Sequence, residues 1–253
     1  HGTFLTDVPF TNDGTKMCVL GATGDDVNEY SLTTGFDVST ATYVQNFSVS
    51  SQETIPTGIA FNNDGTKMYI LGDAGNDVNE YSLSTAFDVS SASFAGNSEI
   101  FSVSSQEVNP MGITFNNDGT KMFVIGYSGD DVNEYSLSTA FDVSTASYVQ
   151  RFAVGSQETN PKGMAFNNDG TKMFIVGSQG DDVNEYSLST AFDVSTASYV
   201  QVFSVLAQEA NPMGITFNND GTKMYVVGEI GNDVNEYSLD NPSSPTVCVN
   251  DAI

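Results

Sequence analysis

Short apolar runs of 4 to 9 residues, rich in valine, isoleucine, tyrosine and phenylalanine, recur along the whole chain between clusters of Gly, Asn, Asp and Ser. One stretch shows the pattern in full: G-I-T-F from Gly112, K-M-F-V-I-G from Lys121, D-V-N-E-Y-S-L from Asp131, and A-S-Y-V-Q-R-F-A-V from Ala146. Run length, β-branched and aromatic content and the turn residues between runs predict four strands. No segment repeats apolar residues at helical spacing over three turns. Between the first and second strands, N-N-D-G-T supplies residues that tolerate positive φ in a tight hairpin. Between the second and third, the pair Gly126 and Gly129 is expected to do the same. The predicted unit is a four-stranded antiparallel meander.

That unit recurs. N-D-G-T-K-M occurs five times, with its aspartate at Asp13, Asp64, Asp118, Asp169 and Asp220, spaced 51, 54, 51 and 51 residues apart. The longer interval comes from A-G-N-S-E-I between Phe94 and Phe101, where the first unit has only V-Q-N between Tyr43 and Phe47. A small sheet with two apolar faces must be covered by its neighbours, and radial stacking achieves this with one blade per repeat. The expected fold is a single all-β domain spanning 1–253, a five-bladed β-propeller with four antiparallel strands per blade. A linear solenoid fits less well, because its coils are shorter.

The stretch P-M-G-I-T-F-N-N-D-G-T-K-M-F-V-I-G from Pro110, followed by D-V-N-E-Y-S-L, resembles the YVTN and lactonase-like propeller repeats. The resemblance covers all five units. It implies a propeller blade, but this repeat type serves enzymes, surface proteins and binding modules alike. Propellers of this family often have more than five blades. The ends of the chain are nevertheless read as genuine: Val8 and Phe10 match Ile59 and Phe61, and a short strand from Thr246 is expected to complete the fifth blade. Cys18 and Cys248, one in each terminal unit, suggest a ring-closing disulfide.

Composition narrows the chemistry. With 32 acidic against 7 basic residues, the net charge of −25 argues against nucleic-acid and anionic-membrane partners, and no apolar run is long enough for membrane insertion. His1 is the only histidine, which removes Ser-His-Asp, Cys-His and zinc-hydrolase arrangements. Five lysines (Lys16, Lys67, Lys121, Lys172, Lys223) fall opposite Glu29, Glu80, Glu134, Glu185 and Glu236, as cross-strand ion pairs would. Asp26, Asp77, Asp131, Asp182 and Asp233 open the third strands. They have calcium's ligand type without a known calcium-loop spacing, so structural calcium is a minor alternative to turn roles, and no other cofactor is expected.

Variation among the units is concentrated in two stretches that emerge on one face of a propeller. The second-to-third turn carries Asp73, Tyr127, Gln179 and Glu229, and the approach to the first strand carries Thr57, Met111, Lys162 and Met213, with Tyr127, Met111 and Met213 expected to be exposed. Loops diversified on a constant scaffold suggest a ligand-binding face. The leading expectation is therefore a binding or adhesion module rather than an enzyme. It would be secreted or cell-surface and monomeric, with a glycan or cell-surface ligand held multivalently, as in a lectin. The alternatives are a lactonase- or glycosidase-like hydrolase using axial carboxylates, and a structural spacer. Symmetry separates them: five equivalent sites favour binding, whereas an axial acidic pocket built from two or three units favours an enzyme.

The charge itself is a product of repetition, since −25 over five units is −5 per unit. A uniformly negative shell repels itself until salt screens it. The melting temperature should therefore rise with ionic strength in thermal scans; a flat or falling dependence would contradict this reading.

Overall fold

The computed structural model describes residues 4–239 and 246–247. Each repeat forms one antiparallel sheet whose strands follow chain order. In the third repeat these are Pro110–Phe115, Lys121–Gly126, Asp131–Leu137 and Ala146–Ala153, with a short 3-10 turn at Val143–Thr145 before the outer strand. The inner strands of the other blades are Leu5–Asp7, Pro56–Phe61, Pro161–Phe166 and Pro212–Phe217. They pack in sequence around one axis, and Leu5–Asp7 contacts both Pro56–Phe61 and Pro212–Phe217. The chain is thus a closed five-bladed β-propeller. Thr246–Val247 pairs with Tyr237 and Ser238 as the outer strand of blade five, and the insertion in blade two divides its outer strand into Ala92–Phe94 and Ile100–Ser102.

Alternation along each strand sends side chains into both neighbouring gaps. Met68 and Ile70 pack towards blade one, whereas Tyr69 and Leu71 pack towards blade three against Ile113, Met122 and Val124. The fifth gap is closed by Tyr225, Val227 and Val234 against Val8, Met17 and Val19. Cys18 is a free, buried thiol in the gap between blades one and two. The expected ring-closing disulfide is therefore not supported: Cys18 is free and packs towards blade two, and Cys248 lies outside the described residues.

Polar staples reinforce each gap. All five lysine–glutamate pairs form, at 2.7–2.8 Å. In four of them the lysine also reaches the next blade, where its Nζ donates to the carbonyl of Phe87, Phe141, Phe192 or Phe36 at 2.7–3.0 Å. Each of those phenylalanines adopts a positive φ of 55–59°, a costly conformation for a bulky residue. The compensation lies in the hairpin glycine: a Cβ on Gly14, Gly65, Gly119 or Gly170 would sit 2.2–2.3 Å from the ring of Phe36, Phe87, Phe141 or Phe192. In blades one to four this contact links the near-constant N-D-G-T and F-D-V-S segments, since the ring of one occupies the space left by the glycine of the other.

In the second-to-third turn the residue at positive φ is Asp25, Asn76, Asp130, Asp181 or Asn232, and not the glycine that the sequence pattern suggested. Gly126 is small for a different reason: a Cβ there would lie 2.3 Å from the buried side chain of Glu107.

Gly221 provides an internal control for the glycine–phenylalanine contact, because it shares the positive φ of Gly119 but has none of the described residues within 4 Å of a built Cβ. Gly119→Ala should therefore cost about 1–3 kcal/mol more than Gly221→Ala in urea denaturation. Equal costs would show that the ring contact is energetically empty.

Candidate functional site: an axial pocket with one carboxylate

Five inner strands crowd the axis, and four of them carry glycine at the point of closest approach: Gly58, Gly112, Gly163 and Gly214. A Cβ on Gly163 would lie 2.6 Å from Met213 O, and one on Gly214 would lie 2.8 Å from Asp7 Cα. Pairing of Leu5 with Gly21 and of Pro56 with Gly72 sets blade one in register with blade two, so the residue equivalent to Gly58 is Asp7. One blade in five therefore places a carboxylate where the others have no side chain.

Asp7 borders an axial pocket of about 200 Å³. Blades one to three contribute both strand and turn residues to its wall, including Asn12, Asn63, Phe87, Asn117 and Phe141, whereas blades four and five contribute only Met164, Ala165, Ile215 and Thr216. The carboxylate is held in place at both oxygens: Val8 N donates to Oδ1 at 2.8 Å, and Ile59 N of the next blade donates to Oδ2 at 3.0 Å. Burial pushes its pKa up to about 7 against the lowering effect of those two hydrogen bonds. A carboxyl poised near neutrality in a cleft has the property required of a general base.

The pocket lies on the side of the N-N-D-G turns, where a ring of hydrogen bonds fixes the geometry. Asn12 Nδ2 donates to Asn63 O at 2.8 Å, Asn63 to Asn117 O at 2.5 Å, and Asn117 to Asn168 O at 2.6 Å. Asn168 then donates to Asn219 O, and Asn219 to Asn12 O, which closes the circle.

The variable residues gather on the opposite face. Lys162 stacks over the Tyr127 ring at 5.2 Å, and burial lowers its pKa while Glu229, Glu158 and Asp73 oppose that shift. Asn109 donates to Asp73, Asn211 to Glu229, and Thr159 to Gln179. The two variable stretches thus satisfy one another. Tyr127 is exposed as expected, but Met111 and Met213 are buried, a correction that follows from their place on the crowded inner strands. Thr57 is also buried there, its hydroxyl donating to Pro110 O at 2.9 Å.

Two sets of residues are not marked as site residues by the repeat pattern. Asp7 is one. The other is the fully buried series Glu53, Glu107, Glu158 and Glu209, whose carboxylates accept the backbone N–H two residues on at 2.7–2.8 Å and also the amides of the second-to-third turn, thereby holding that face together. The candidate calcium ligands Asp26, Asp77, Asp131, Asp182 and Asp233 each accept from the asparagine two residues on at 2.6–2.8 Å. Asp131 also takes Arg151 at 2.9 Å.

Comparison with known proteins adds a family. A family model described as "Lactonase, 7-bladed beta-propeller" matches residues 21–247. No curated protein matches the sequence. Among solved structures, a candidate 6-phosphogluconolactonase from Bacteroides uniformis is similar at 12% identity and a TM-score of 0.58, covering 97% of this chain and 71% of that one. A second candidate 6-phosphogluconolactonase, from Bacteroides fragilis, is similar at 14% identity and a TM-score of 0.55, covering 94% and 67%. A protein of unknown function from Desulfotomaculum acetoxidans is similar at 14% identity and a TM-score of 0.56, covering 96% and 68%. At such identities these structures speak to fold alone. The family match nevertheless overturns the expectation of a lectin-like binding or adhesion module and points to the lactonase-like alternative.

Proposed function

The chain belongs to the lactonase, seven-bladed β-propeller family, and on that premise we propose that it hydrolyses a small lactone with Asp7 as general base. The observation that carries this reading is the asymmetry of the axis. A scaffold repeated five times departs from its own pattern at one inner-strand position, and the departure is a carboxylate whose pKa is pushed up to about 7. Five equal binding sites would not need it.

In the proposed step, Asp7 takes a proton from water as the water oxygen bonds to the lactone carbonyl carbon. The tetrahedral anion then collapses, the ring C–O bond breaks, and the leaving oxygen receives that proton from Asp7. Thr114 and Thr216, in the pocket wall, are the hydroxyl donors available to the carbonyl oxygen. The product carries a new carboxylate, which the net charge of −25 repels and so helps to release.

Size and charge constrain the substrate. A pocket of about 200 Å³ is smaller than the usual range for drug-sized ligands, and neither lysine nor arginine lines it. A phosphorylated sugar lactone, the substrate class in the names of the two Bacteroides proteins, would find no cation there to meet its phosphate. An uncharged five- or six-membered lactone is the better fit.

A panel of neutral lactones should include one that is turned over. Its kcat/KM should rise with pH through a midpoint near 7, because only ionised Asp7 can accept the proton. Asp7→Asn should lower kcat/KM by about 10²–10⁴-fold. Absence of turnover across the panel, or full activity in a folded Asp7→Asn variant, would reject the assignment.

A further inference from the structure

The seam between blades two and three differs from its counterparts in one residue. At the other complete seams a glutamine bridges two carboxylates: Gln45 Nε2 donates to Glu29 Oε2 at 3.0 Å and to Asp88 Oδ1 at 2.8 Å, and Gln150 Nε2 donates to Glu134 Oε2 at 2.9 Å and to Asp193 Oδ1 at 2.8 Å. In blade two, Asn79 pairs with Ile100 as Asn28 pairs with Asn46, which sets Glu99 opposite Glu80 where Gln45 stands opposite Glu29. Glu99 belongs to the insertion that only this blade carries. The donor of the repeated bridge is replaced by a third acceptor.

The consequence is visible in the neighbours. Oxygens of Glu80, Glu99 and Asp142 all lie within 4.8 Å of one another. Glu80 is only 3% exposed, and its Oε2 is buried with no donor in full hydrogen-bonding geometry: the Val143 N–H of the next blade still acts on the carboxylate, but the glutamine amide that Glu29 Oε2 and Glu134 Oε2 accept is missing. Lys67 is the cation at the seam, and it is already committed to Glu80 Oε1 at 2.7 Å and to the Phe141 carbonyl at 2.8 Å. Three carboxylates and one ammonium leave two negative charges with no partner.

We propose that Glu80, Glu99 and Asp142 form a calcium site that takes over the bridging role of the glutamine at this one seam. All-oxygen carboxylate ligands suit a hard divalent cation, and calcium tolerates an irregular set better than magnesium, which demands near-octahedral geometry. The ion offsets the two surplus charges and ties the insertion of blade two to the 3-10 turn of blade three, as the amide does elsewhere. The site is structural, away from the axis, and independent of the lactonase reading.

Isothermal titration of the chelator-treated full chain with calcium chloride at physiological ionic strength, together with thermal scans in calcium and in EDTA, tests this. One saturable site per chain is expected, with a melting temperature raised by about 5 to 10 °C at a hundredfold excess of calcium over Kd. Glu99→Gln, which restores the bridging amide, should abolish the site, melt alike in calcium and EDTA, and in EDTA exceed the wild type. Glu99→Ala should lose the site without that gain. No saturable calcium binding by the wild type, or diffuse weak binding that Glu99→Gln leaves unchanged, would overturn the proposal.

Discussion

Everything in this molecule answers to the crowding of five inner strands around one axis. Glycine at 58, 112, 163 and 214 lets neighbouring backbones approach to the point where a Cβ would lie 2.6–3.1 Å from the next strand. That approach sets the blade spacing, the blade spacing sets the gaps, and the apolar clusters fill those gaps. Among the described inner strands, the same crowding leaves one place where a carboxylate stands on the axis. Where blade one meets blade two, the small residue is replaced by Asp7, whose carboxylate takes the next strand's N–H at 3.0 Å and is only partly exposed. A constraint of packing thereby becomes a shifted pKa.

The seams show how a repeat protein combines uniformity with local change. Lysine, glutamate, the positive-φ phenylalanine and the hairpin glycine form one interlocked unit, so none can vary alone without leaving a buried charge or a backbone conformation uncompensated. Residues outside that unit are freer. On the far face a constant asparagine (Asn109, Asn160, Asn211) accommodates different turn partners, and the insertion of blade two exchanges an amide for a carboxylate. Change is tolerated where each new group still finds something to satisfy it.

The fold was largely legible in the sequence because repetition multiplies weak strand and turn signals fivefold. The lysine–glutamate pairs were legible too, since cross-strand register follows from hairpin length. The positive φ of Phe36 and its equivalents was not, because phenylalanine is an improbable residue for that conformation and only the facing glycine explains it. Asp7 was half visible. Matching Val8 and Phe10 to Ile59 and Phe61 already sets it opposite Gly58, but the meaning of a missing glycine depends on how closely the strands approach, which is a property of the closed ring. Cys18 misled, since two lone cysteines in the terminal units read as a bridge until the strand's facing was known. The family also carries seven blades in its description, while this ring closes on five, consistent with coverage of 67–71% of the compared structures.

The central claim is that this near-symmetric axis holds one carboxyl poised near neutrality. Selective labelling of aspartate side-chain carboxyls with carbon-13, followed by NMR titration of the full chain, reads it directly. The account predicts one aspartate resonance with a midpoint near pH 7, absent from the Asp7→Asn variant. Titration of Asp7 in the ordinary carboxylate range, near pH ~4, would contradict it.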